Sequence, residues 1–256
     1  MRFDPQWRLA AFAVACSLPW LPALACAQEA KPPHWSYEGK EGPAGWGQLD
    51  SKFATCSIGT TQSPIDIQGA KPADLPALTF DYHAVPLNIV DNGHTIQINY
   101  PAGSTLTVGA KTYTLTQFHF HHPSEEHING QGYAMVAHLV HADSEGHLAV
   151  VAVLLHQGAD NPLIATLWKN LPSEKGRAVD VPGVTVDVAT LLPADHGYFT
   201  YAGSLTTPPC SEGVTWFVLK HPSAVSADEI AAFAKLYAQN ARPIQKTNGR
   251  EIRESK

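Results

Sequence analysis

The chain has little of what marks a nucleic-acid or membrane-surface binder: seventeen basic against twenty-three acidic residues leave a formal charge of -6, and only 16% of residues are charged. With no basic excess, neither a phosphate backbone nor an anionic lipid surface finds an electrostatic partner. Internal repeats, low-complexity tracts and linker-like stretches are absent, so nothing divides the sequence into several folding units. Four cysteines in 256 residues are too few for a disulfide-dense scaffold. No long apolar run follows residue 27, which argues against a membrane span in the mature chain. What is present is a hydrophobic share of 44%, enough for a sizeable core and too much for global disorder. Twenty prolines and nineteen glycines promise many turns, and thirteen histidines are the unusual feature.

The long apolar stretch, Leu9 to Ala27, follows Arg2 and Arg8, contains Pro19 and Pro22, and ends in Ala25-Cys26-Ala27. That order reads as a secretory signal peptide, residues 1–27, cleaved before Gln28. The two prolines and the small-residue ending make a membrane span the weaker reading, and lipidation of Cys26 fits the preceding residues poorly. Export from the cytoplasm is the expected fate of the chain. Cys16 and Cys26 leave with the signal, so Cys56 and Cys210 remain; an even count in an oxidising compartment points to one disulfide between them. The sequence also allows a homodimer.

Residues 28–60 are rich in Gly, Pro and aromatics without a period and read as an irregular arm anchored by Trp35, Tyr37 and Trp46. Alternating runs then recur between turn signals: Leu87 to Val90, Thr95 to Tyr100, Thr105 to Val108, Thr112 to His121, Tyr133 to His141 and Leu148 to Leu155. Two helices interrupt them. One is capped by Asn161 with Pro162 in its first turn; the other opens with the Ser226/Glu229 capping-box pair. The expected fold is one α+β, mainly β domain, residues 28–256, built on a mostly antiparallel sheet.

In Gln117-Phe118-His119-Phe120-His121 the histidines share one strand face and the phenylalanines the other. The next strand, returning after the turn from Pro123 to Gly132, offers His138. Three neutral imidazoles with a fourth position left to water make a catalytic rather than a closed structural zinc site. Gln117 shares the histidine face and can hydrogen-bond His119. His122, His127 and His141 fall outside the trio.

At these residues the chain resembles the α-class carbonic anhydrases, particularly the secreted bacterial kind. The matching segments include His34-Trp35-Ser36-Tyr37, Gln62-Ser63-Pro64-Ile65-Asp66-Ile67, Asn92-Gly93-His94, Gln117 to His121, His138-Leu139-Val140-His141, Gly203 to Pro209, Val214 to Lys220 and Asn240-Ala241-Arg242-Pro243. The resemblance implies a large twisted sheet with Zn2+ at the bottom of a conical cleft, and reversible hydration of carbon dioxide to bicarbonate by zinc-bound hydroxide. It implies His119, His121 and His138 as ligands and Thr206 as the residue that orients the hydroxide. Glu126, preferred over its neighbour Glu125 by the spacing to His127, matches the carboxylate that receives the threonine's proton. His94 matches the proton shuttle, Gln97 and Thr207 polar positions along the water chain, and Val140, Val150, Leu205, Val214 and Trp216 the apolar wall for carbon dioxide.

One departure stands out. Where the family usually carries a glutamate two residues before the third histidine, this chain has Val136, on the same strand face as His138. The missing acceptor predicts weakened zinc binding. It also keeps open a second reading, a carbonic anhydrase-like binding protein with weak or no turnover; ester hydrolysis is a third.

Overall fold

The computed structural model describes Met1 and residues 34–256. The expected signal segment, with Cys16 and Cys26, lies outside the described residues apart from Met1. Eight strands carry the argument: β1 (Val85–Asp91), β2 (Ile96–Asn99), β3 (Lys111–His121), β4 (Met135–Ala142), β5 (Leu148–Gln157), β6 (Val179–Val186), β7 (Tyr198–Ser204) and β8 (Glu212–Leu219). They belong to a 13-stranded sheet and run across it in the order β6-β1-β2-β3-β4-β5-β8-β7. All these neighbours pair antiparallel except β5 and β8, which run parallel. The mixed, mainly antiparallel sheet matches the expectation. All six alternating runs fall on strands, while β6, β7 and β8 are among the strands that the periodicity reading did not mark.

β5 shows why the sheet sits at the centre of the molecule. Its sequence Leu-Ala-Val-Val-Ala-Val-Leu-Leu is apolar at consecutive positions because both faces are covered. Val151, Val153 and Leu155 enter one buried cluster, together with Phe118, Phe120 and Leu139. Val150, Ala152 and Leu154 enter another, with Val136, Val214 and Trp216.

The first cluster is roofed by two helices, α1 (Pro162–Lys169) and α2 (Ala227–Leu236). Asn161 caps α1 by accepting from the backbone N–H groups of Leu163 and Ile164, and the Ser226/Glu229 capping box opens α2. Leu163, Ile164 and Leu167 of α1 and Phe233 of α2 bury their apolar stripe against the sheet.

The arm before the sheet is held by aromatic packing and one covalent bond. Trp46 is fully buried, and its ring meets those of Trp35 and Tyr37 edge to face. Cys56 and Cys210 form a disulfide with Cα atoms 5.0 Å apart. It ties the arm to the Thr206–Cys210 segment, which is also fastened by Cys210 N–H to Thr207 O at 2.8 Å and Leu205 N–H to Ser211 O at 3.0 Å.

Candidate metal centre

The register of β3 and β4 sets the geometry. His119 pairs directly with His138 across the two strands, and His121 pairs with Val136. Alternation keeps His119 and His121 on one face while Phe118 and Phe120 enter the helix-covered core. One ligand atom from each of His119, His121 and His138 lies within 4.8 Å of the others. Among the described residues no other group of three or more His, Cys, Asp or Glu side chains could hold a metal ion in this way.

Each imidazole commits one nitrogen to a protein partner. His119 donates from Nδ1 to Gln117 Oε1 at 2.8 Å, and His121 from Nδ1 to the Asn240 carbonyl at 2.7 Å. His138 Nε2 lies 3.1 and 3.2 Å from the two oxygens of Glu126. These contacts fix the tautomers and aim His119 Nε2, His121 Nε2 and His138 Nδ1 at one another. His121 Nε2 is buried without a hydrogen-bond partner. Burial pushes the His121 and His138 pKa values down to about 4 and about 3, and lowers that of His119 too, keeping the rings neutral. Three neutral nitrogen donors, converging with Glu125 Oε2 3.8 Å from His138 Nδ1, suit a zinc ion that keeps an open fourth position.

The carboxylates divide differently from the sequence expectation. Glu126 turns to His138. Glu125 is the carboxylate beside Thr206: its Oε1 accepts the Arg242 backbone N–H at 2.7 Å, and the Thr206 side chain is among the groups favouring its ionised form. Both reach the His138 ring, Glu126 Oε1 at 3.1 Å from Nε2 and Glu125 Oε2 at 3.8 Å from Nδ1, and Glu125 Oε1 also lies 3.5 Å from His121 Nδ1. Burial raises both carboxyls, Glu125 to about 7 and Glu126 to about 8. In Glu125 the nearby Glu126 adds to the rise, while His121, Arg242 and Thr206 oppose it. A cation held by the histidines would favour both ionised forms.

The cleft above the histidines, about 120 Å³, is lined by His119, His121, Gln117, Gln97, Thr207 and His94 among others. His94 sits in a turn built by Asn92, whose Oδ1 accepts the His94 and Thr95 backbone N–H groups, and Gly93, at φ +90°. Its half-buried ring stacks on Trp35 with centroids 3.6 Å apart and planes 7° from parallel. Burial, then His34 and Lys175, lower its pKa. On the other side Val150, Val214 and Trp216 form the buried cluster against which Val140 and Leu205 pack. Trp216 meets the His138 ring edge-on at 4.9 Å.

Two site residues had no assigned role in the sequence. Asn240 is fully buried: its carbonyl orients His121, its Oδ1 accepts the His122 N–H at 2.7 Å, and its Nδ2 donates to the His94 and Phe120 carbonyls, each at 3.0 Å. Arg242, also buried, fixes Glu125 through its backbone and joins Gln62, Ser63 O and Cys56 O through its guanidinium. Their only signal was the Asn240-Ala241-Arg242-Pro243 segment of the resemblance.

A family model described as eukaryotic-type carbonic anhydrase matches residues 41–256. A carbonic anhydrase of Pectobacterium carotovorum is 44% identical over 86% of this chain and 90% of its own. One from Nostoc sp. is 42% identical over 88% of each chain. The solved α-carbonic anhydrase of Photobacterium profundum superposes with a TM-score of 0.81 at 45% identity, covering 86% of this chain and all of the other. The three-histidine centre, the sheet that carries it and these similarities agree, and the chain belongs to the α-class, or eukaryotic-type, carbonic anhydrase family.

Proposed function

We infer that the chain hydrates carbon dioxide reversibly to bicarbonate and a proton, using zinc held by His119, His121 and His138. The observation that carries this reading is the convergence of three imidazole nitrogens beside an apolar wall. Zinc bound there would lower the pKa of a coordinated water from 15.7 to about 7, a magnitude that belongs to carbonic anhydrases in general.

The chain's own residues do the rest. Glu125, whose Oε1 accepts the Arg242 N–H and whose ionised form the Thr206 side chain favours, is the acceptor we assign to the Thr206 hydroxyl; with its proton so committed, the threonine oxygen would have only lone pairs to offer and would orient the nucleophile by accepting a hydrogen bond from it. Val140, Val150, Leu205, Val214 and Trp216 give an uncharged, weakly polar substrate a dry surface beside the reacting atoms. Gln97 and Thr207 line the path by which the product proton leaves. His94 receives it, since a half-buried imidazole at the cleft mouth can exchange protons with solvent.

Residues 1–27 act as an export signal, and residues 28–256 form the catalytic domain in the periplasm. The Cys56–Cys210 bond suits an oxidising compartment. No described helix is long and apolar enough to cross a membrane. The rival reading, a binding protein without turnover, drew its support from Val136, and the Glu126 to His138 contact offsets that feature.

Stopped-flow hydration of carbon dioxide by protein of measured zinc content tests the assignment. Turnover should disappear on chelation and return with zinc; zinc-replete protein without turnover would leave the binding-protein reading instead. His94→Ala should slow turnover in dilute buffer while leaving the attack step nearly intact, with added imidazole restoring part of the rate. Unchanged turnover in weak buffer would make His94 a turn residue.

A further inference from the structure

Position 136 is where a strand-borne acceptor for the third histidine belongs, and β3 shows the arrangement in the same site: Gln117, two residues before His119 and on the same face, accepts from its outward nitrogen. Val136 has no such atom and is fully buried in the apolar cluster with Val150 and Trp216. Yet the outward nitrogen of His138 is partnered, by a residue twelve positions earlier in the chain. Both oxygens of Glu126 reach Nε2, and Glu126 and His138 are 0% and 1% exposed, so water does not compete for the contact.

The loop that carries Glu126 is secured on both sides. Ser124 donates from Oγ to the Glu126 carbonyl at 2.9 Å and accepts the Tyr133 N–H at 2.8 Å. His127 pairs with Asp66 in a short parallel ladder. The backbone at residue 126 is therefore held as a strand position would be.

We propose that Glu126 is the positioning residue for the third zinc ligand, a loop carboxylate that has taken over the task of strand position 136. The exchange accounts for both unusual residues together. With Glu126 on Nε2, a second carboxylate at position 136 would meet no free proton on His138. It would join Glu125 and Glu126 as a third buried acid, leaving an unpaired charge in the core. Valine at 136 is the apolar residue that such a site requires.

The inference rests on the zinc reading of the three-histidine site, and the test separates the two. The parent protein is first loaded with zinc, and release to excess chelator is followed for parent, Glu126→Ala, Glu126→Gln, Val136→Glu and the Glu126→Ala/Val136→Glu double variant, with circular dichroism of each. Loss of an outer acceptor typically weakens metal binding or activity by about 10- to 100-fold. Glu126→Ala should release zinc faster by about that factor, and Glu126→Gln, which keeps an acceptor but not the charge, by less. Val136→Glu alone should be no slower than parent. Added to Glu126→Ala, the same substitution should slow release again, an effect that loosened packing would not produce.

Folded Glu126→Ala protein with the parental release rate would overturn the proposal. Should that variant fail to fold, the near-isosteric Glu126→Gln decides: parental release overturns the proposal, faster release supports it. A parent that takes up no zinc overturns the metal reading, and this inference with it, before any variant is made.

Discussion

Changing His119, His121 and His138 together to alanine should take bound zinc from about one per chain to none and abolish carbon dioxide hydration. The ligand atoms come from two adjacent strands, and no second cluster of suitable side chains exists among the described residues, so no other described group should recruit the ion. The fold should survive with reduced stability. The opposite face of β3, with Phe118 and Phe120, keeps its packing against the helices. What is lost besides the metal is the set of donors that satisfied Gln117 Oε1, the Asn240 carbonyl and the Glu126 carboxyl. Leaving a buried acceptor unpaired costs about 1–3 kcal/mol, more if it is charged. Zinc determined by metal analysis, alongside thermal unfolding, checks both parts; undiminished zinc in the triple variant would remove the site assignment.

The second large effect is expected from Cys56→Ala/Cys210→Ala. The disulfide spans a sequence separation of 154. For a loop of that length the chain-entropy model gives roughly 5 kcal/mol, a ceiling that native strain and residual structure in the unfolded chain reduce. Against a total stability of about 5–15 kcal/mol for a domain, that is a large share. Part of the junction persists without the bond, because Gln62 donates to the Cys210 carbonyl and Arg242 to the Cys56 carbonyl. Unfolding should therefore move to clearly lower denaturant while the remaining native protein keeps its fold. The same shift should follow reduction of the parent. Mass spectrometry of unreduced protein finding two free thiols, or an unchanged midpoint in the double variant, would contradict this account.

The parts of the molecule governed by a local period were legible in the sequence. Alternation through Gln117 to His121 put two histidines on one face, and the pairing of β3 with β4 brought His138 opposite His119. Asn161-Pro162 and Ser226/Glu229 marked two helix starts because capping is a short-range matter of backbone N–H groups. The loop between β3 and β4 offers no period. Glu125 and Glu126 are chemically identical neighbours, and only folding decides that one faces Arg242 and Thr206 and the other His138.

The same limit hid the compensation for Val136. Strand alternation correctly placed the valine on the histidine's face, but no local rule says that an acceptor will arrive from a loop. Asn240 and Arg242 were illegible for a related reason: their partners lie more than a hundred residues away, at His121, Glu125 and Cys56. The parallel pairing of β5 with β8 likewise joins strands separated by α1, β6 and β7, and no alternation pattern encodes it.

The most direct test of the central claim is a zinc titration of metal-free protein followed by stopped-flow carbon dioxide hydration at each point. If His119, His121 and His138 hold the one ion on which turnover depends, the rate should rise linearly from near zero and level off at one zinc per chain. A rate that is already full in metal-free protein, or that stays at the uncatalysed level with one equivalent bound, would contradict it.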